Sequence, residues 1–193
     1  RFNVSHSRDV VLVAITKGRE VGVDIEFVDT NFEVMTVAEG AFSEAEVSHL
    51  RSLPPELRTS AFYECWTRKE ACLKAMGDGL SSSLDQLSAV SAIIRRSEAS
   101  FEAVVDGKAT GWSLRSLGIA EDFKAALAVE GGIRAIKYWH LTIDSGSLRT
   151  RRVGSPSSEV PRSVLPAQDK NFETAPNVEE SGPFALCNHD ISI

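Results

Sequence analysis

Two places in the chain set ionisable side chains into stretches otherwise patterned for burial. The first is Asp24-Ile25-Glu26, inside the alternating run Val21, Val23, Ile25 and Phe27. Residues two apart on a strand project to one face, so both carboxylates share a side while the apolar residues share the other. Carboxylates that close repel, and without a cation one of them has its pKa raised. Hard oxygen ligands on a rigid strand suit Mg²⁺, which keeps much of its shell for water and phosphate. The solvated face of an edge strand gives the same pattern, and the spacing by itself leaves both readings open.

The second place is a long helical pattern. Its apolar stripe Phe62, Cys65, Trp66, then Cys72, Leu73, Met76 is bridged by Lys69 and Glu70. Charges on a face built for burial need a partner or a purpose. Lys74 follows Glu70 by four and shares its face, so one account is an i, i+4 ion pair at the core edge and the other is chemistry. His6, in Ser5-His6-Ser7 where one strand turns into the next, is able to donate to a phosphate or to stand merely solvated. His49, His140 and His189 join no constellation. The chain has no G-x-x-x-x-G-K-[ST] loop, G-x-S-x-G elbow or H-E-x-x-H pair, so P-loop, α/β-hydrolase and zincin readings have no support.

The elements that must carry these groups are legible from periodicity. Phe2 to Ser5, Val10 to Ile15 and Glu20 to Phe27 read as strands of an antiparallel meander, with Lys17-Gly18-Arg19 as a turn. Ser43-Glu44-Ala45-Glu46 matches a capping box and starts a short helix reaching about Leu50. Pro54-Pro55 then opens a long helix from about Glu56 to Met76, with Gly77 as its C-cap. Strand patterns return at 87–94, 100–105, 111–117, 123–129 and 133–143, with turns at Asp106-Gly107 and Gly131-Gly132. The expected fold is α+β, an antiparallel sheet packed with a long helix, over residues 1–143. Residues 144–193 hold five of the seven prolines among Ser, Gly and Glu, without sustained periodicity, and read as a disordered or loosely attached tail.

Composition narrows the classes. The 193 residues are 42% hydrophobic and 25% charged with a net charge of -6, which is a globular balance and not that of a general nucleic-acid binder. No apolar run approaches the ~18 residues of a membrane span, and no secretory leader is visible. Cys65 and Cys72, seven apart, fall on one helix face as small apolar fillers, and with Cys187 they imply no disulfide framework, so a cytoplasmic location is expected. The chain opens at Arg1 directly on a strand-like segment, which reads as a piece of a longer protein.

Taken in order, these pieces resemble a family. Phe2-Asn3-Val4-Ser5-His6-Ser7, then Gly22-Val23-Asp24-Ile25-Glu26, then Phe42-Ser43 with Glu46, then Trp66-Thr67-Arg68-Lys69-Glu70-Ala71-Cys72-Leu73-Lys74 with Gly77 and Gly79-Leu80 look like the 4′-phosphopantetheinyl transferases of the Sfp type. The specific signal is the ordered pair of G-[VI]-D-x-E and W-[ST]-x-K-E-[SA]-x-x-K, and the likeness covers roughly residues 1 to 130.

The resemblance implies an enzyme that moves the phosphopantetheine arm of coenzyme A onto a serine of an apo acyl or peptidyl carrier protein, releasing 3′,5′-ADP. Asp24, Glu26 and Glu70 would be the Mg²⁺ ligands. Glu70 would be the base for the incoming serine and Lys74 the group on the phosphates. Ser5 and His6 would lie along the nucleotide, and Lys69 would line the phosphate site. Family members resemble two similar halves with the site between them, so the expected architecture is an incomplete pseudo-dimer: the second half, preceded by the last strand of the first. Partners are then coenzyme A and a carrier protein, with no nucleic acid and no membrane. A module that docks a carrier without catalysis and a plain α+β domain with coincidental motifs are the other readings.

Overall fold

Strong alternation makes Val10–Thr16 a strand with one face inward, its residues running alternately buried and half-buried. The computed structural model describes residues 1–77, 98–105, 108–144, 147–154 and 184–189. In chain order the elements are β1 (Phe2–Ser7), β2 (Val10–Thr16), β3 (Val21–Phe27), α1 (Val34–Ala41), α2 (Glu44–Ser52) and α3 (Pro55–Met76). They are followed by β4 (Glu98–Val105), β5 (Lys108–Leu117), β6 (Phe123–Glu130), β7 (Lys137–Asp144), β8 (Ser147–Val153) and β9 (Phe184–His189).

The helix starts form as the capping residues dictate. Ser43 Oγ accepts from the Glu46 amide, and Glu46 Oε2 accepts from the Ser43 amide at 2.7 Å, which satisfies two orphan donors at the head of α2. Pro55 takes the first position of α3, and Gly77, at φ 77°, closes it in the left-handed conformation that glycine adopts without a Cβ clash. Helix α1 has no counterpart in the sequence reading. Its N-cap, Glu33, makes no side-chain cap bond, so the start signal was missing, although Val34, Ala38 and Ala41 stand at helical spacing.

The strands sort into two sheets rather than one. One has the order β1-β2-β9-β7-β8 and the other β3-β6-β5-β4. The first three strands are therefore not a single meander: β1 and β2 form an antiparallel hairpin, while β3 leaves it to pair antiparallel with β6. The pairing of β2 with β9 is parallel, so the first sheet is mixed. Strands β8 and β9 fall in the segment to which the sequence reading gave no element. The patterns at 87–94 and the turn at Asp106-Gly107 lie outside the described residues.

Three layers result, with β3 and β6 in the middle. Ala126 and Ala128 of β6 pack with Phe62, Cys65, Ala71, Cys72 and Ala75 of α3 in one core cluster. The opposite side chains of the same sheet, Val23, Ile25, Ala125, Leu127 and Val129, pack with Val10, Leu12 and Ala14 of β2 in another. Alternation along β3 thus sends Val21, Val23 and Ile25 toward β2, and Gly22, Asp24 and Glu26 toward the helix layer. The approach there is close: a Cβ on Gly22 would lie 2.1 Å from the Ala71 carbonyl oxygen and 2.4 Å from the Ala75 amide nitrogen.

Candidate active site

Asp24 is buried at 3% exposure, a costly place for a carboxylate, and its surroundings are built around it. Its Oδ1 accepts from Lys74 Nζ at 2.7 Å and from Ser5 Oγ at 2.9 Å. The same ammonium donates to Ser5 Oγ at 3.1 Å and to the Val23 carbonyl at 3.3 Å, tying α3 to β3 and β1 at one point. The other oxygen, Oδ2, is buried with no hydrogen-bond partner among the described residues. Lys74 therefore turns to Asp24, not to the Glu70 four residues before it that a plain i, i+4 pair would use.

Glu26 and Glu70 stand in the field of Asp24. Burial raises the Asp24 carboxyl above its ordinary range, opposed by Lys74, Ser5 and the Ile25 amide. Glu26 is raised by burial, then by the charges of Asp24 and Glu70, with Ser7 and Lys74 pulling the other way. Glu70 is raised by burial and then by Asp24, against Lys74. Three carboxyls are pushed up, Asp24 by burial and the two glutamates by burial and by neighbouring carboxylates, and they share one ammonium. The chemistry of that donor set, with one oxygen orphaned, fits a hard cation. As the side chains stand, no three His, Cys, Asp or Glu among the described residues are grouped closely enough to hold a metal ion.

The other residues singled out from sequence go to different surroundings. His6 is exposed on β1, on the strand face opposite Ser5 and Ser7. Lys69 is buried, its Nζ donating to Glu46 Oε2 at 2.8 Å and to the Ala41 carbonyl at 3.3 Å, and lying 4.6 Å from the Phe42 ring centroid. The purpose of Lys69 on an apolar face is thus an ion pair with the capping-box glutamate, 23 residues earlier. Sequence reasoning placed Glu46 at its helix start and among the pieces of the resemblance without pairing it to Lys69, and gave Ser7 no role. Ser7 Oγ donates to Glu26 Oε2 at 3.0 Å, and the only trace of that in the sequence is the period of two in Asn3, Ser5 and Ser7.

Comparison with known proteins bears on the same residues. The model of the 4′-phosphopantetheinyl transferase superfamily matches residues 20–128, which include Asp24, Glu26, Glu70 and Lys74. The chain is 34% identical over 139 residues to the 4′-phosphopantetheinyl transferase HetI of Nostoc sp., covering 72% of this chain and 55% of that protein. It is 36% identical over 87 residues to a 4′-phosphopantetheinyl transferase of Bacillus subtilis, covering 45% of this chain and 38% of the relative. It is 37% identical over 76 residues to the AcpT enzyme of Salmonella typhi, covering 39% and 40%. The chain thus spans about half or less of the length of these curated relatives.

Proposed function

The chain belongs to the 4′-phosphopantetheinyl transferase superfamily, and on that premise we propose that it transfers the 4′-phosphopantetheine arm of coenzyme A to a serine of an apo acyl or peptidyl carrier protein. One observation carries the reading: buried Asp24, with one oxygen on Lys74 and Ser5 and the other without a partner among the described residues, stands with two further raised carboxyls. What supports a site over a scaffold here is the company of Asp24: among the described residues Glu46 also buries an unpartnered oxygen, but only Asp24 has two further raised carboxyls in its field.

In this reading Asp24, Glu26 and Glu70 would hold Mg²⁺, which when bound supplies positive charge against the coenzyme A diphosphate. The carrier serine oxygen forms a bond to the phosphorus that bears pantetheine, and the bond from that phosphorus to 3′,5′-ADP breaks. Glu70, half-buried and raised, takes the serine proton, as a base matched to the task should. Lys74, whose side chain is 30% exposed and whose ammonium now rests on Asp24, would neutralise or protonate the oxygen of the departing 3′,5′-ADP. His6, Ser5 and Lys69 complete the coenzyme A side. His6 is the exposed one, whereas Ser5 and Lys69 are buried and would give up part of their present bonds. The finer fold reading, one half of a two-half enzyme, and a cytoplasmic location belong to the same proposal. Among the described residues no helix is long and apolar enough to cross a membrane.

The test is intact mass of apo acyl and apo peptidyl carrier proteins incubated with this chain, coenzyme A and Mg²⁺, beside Glu70→Ala and EDTA samples. A phosphopantetheine mass gain absent from both controls is the expected result. No gain from folded protein with either carrier would leave the docking module as the better reading.

A further inference from the structure

Strands β1 and β3 belong to different sheets, yet they are joined by a comb of side chains. Asn3 Oδ1 accepts the Val23 N–H at 3.0 Å, Ser5 Oγ the Ile25 N–H at 3.3 Å, and Ser7 Oγ the Phe27 N–H at 2.9 Å. Alternate side chains of β1 thus meet the alternate amides that β3 turns away from β6, and satisfy an otherwise bare strand edge. Two rungs do something more. A serine hydroxyl has a single proton to donate, and with the oxygen accepting an amide that proton is turned elsewhere. Ser5 gives it to Asp24 Oδ1 at 2.9 Å and Ser7 gives it to Glu26 Oε2 at 3.0 Å.

We propose that Ser7 is a positioning residue for Glu26. Held by the Phe27 amide, it fixes one carboxylate oxygen and so sets which lone pairs Glu26 presents toward Asp24 and Glu70. The inference rests on the reading of those three carboxylates as the Mg²⁺ ligands. Ser5 is the less clean probe of the same device, because its oxygen also accepts from Lys74. Asn3 is the natural control: it is a rung of the same comb, but the residue after Gly22 to which it bonds presents only its amide.

Hydrogen-bond donors behind a ligating carboxylate typically contribute about 10- to 100-fold to metal affinity. Mn²⁺ alone, titrated by electron paramagnetic resonance into the full chain, reads that term without turnover. Ser7→Ala and Glu26→Gln are expected to weaken Mn²⁺ binding by about ten-fold or more, and Ser7→Thr, which keeps the hydroxyl, by less than about two-fold. Asn3→Ala, which removes a rung but no carboxylate partner, should also stay within about two-fold. Ser7→Cys, close in size with a weak donor, replaces Ser7→Ala if that variant loses its fold. Wild-type affinity in Ser7→Ala, or an equal loss in Asn3→Ala, with Glu26→Gln still weakened, overturns the role of Ser7 alone. An unchanged Glu26→Gln, or a wild-type chain that binds no Mn²⁺, overturns the metal reading beneath it.

Discussion

At the scale of the residue, Asp24 is where burial and charge conflict most. Replacing it by Asn removes the counter-ion of Lys74 while keeping the shape and an oxygen that can accept from Ser5. Transfer by Asp24→Asn is expected to fall on the order of a hundred-fold or more, with far-UV circular dichroism unchanged, because a preorganised charge and not a packing volume is lost. The two helix thiols make the opposite case. Burial pushes Cys72 up to about 12 and Cys65 up to about 11, from 9.0. Raised in the fold relative to the unfolded chain, each favours its neutral form, so its stabilisation is complete below pH 9.0 and is lost as pH climbs toward 11 and 12. Peptide mapping after a thiol reagent at pH 8 should find both unmodified in native protein and both modified in urea, and Cys72→Ala should move the alkaline unfolding midpoint upward. These residues were legible to different degrees. Asp24 and Glu26 declare themselves by a period of two inside an apolar strand, and the cysteines by helical spacing. Ser7 does not, because a serine on a strand means nothing until the strand that it leans on is known.

At the scale of the element, the site depends on how closely α3 lies on β3, and Gly22 sets that distance. A Cβ there would meet Ala71 and Ala75 backbone atoms, which have no rotamer to yield. Gly22→Ala is therefore expected to cost about 3 kcal/mol or to prevent folding, read as a lowered urea midpoint. The contact of α2 with α3 turns on Lys69 and Glu46, whose side chains are 6% and 1% exposed. Lys69→Met strands a buried carboxylate whose Oε1 already has no partner among the described residues, and should cost about 3–5 kcal/mol. Adding Glu46→Gln should recover most of that, since a neutral amide keeps an acceptor for the capping box. If the double variant is as unstable as the single one, the ion pair is not the reason for the loss. Helices α2 and α3 were readable because a capping box, a proline pair and a glycine are local signals. Helix α1 was not, because it lacks a cap signal and is held by α2 and α3. The split of β1–β2 from β3 was not either, because the partner that draws β3 away is the β6 strand, about a hundred residues further along.

At the scale of the whole molecule, the β3–β6 sheet is the layer that both cores share, helices on one face and β2 on the other. The described members of both clusters come from residues up to Tyr138, and β1, β3 and α3, which carry the carboxylates and Lys74, all lie before Gly77. Strands β8 and β9 complete the first sheet: β9 runs between β2 and β7, and β8 beyond β7. Ending the chain after Asp144 takes backbone partners from β2 and β7 but no described side chain from either cluster. Such a chain should still unfold in urea as one cooperative transition, weaker by on the order of a few kcal/mol, since the losses are the ladder hydrogen bonds of β2 and β7 and the buried Val153, and no described member of either core cluster. Its Mn²⁺ affinity should match that of the full chain, because the serine comb and the carboxylates are untouched. A truncated chain that loses cooperativity would mean that β9 holds β2 in place and, through the β1–β2 hairpin, the comb itself. The affinity would then fall together with the fold, and the last strand of the chain would count as part of the support of a site built from its first.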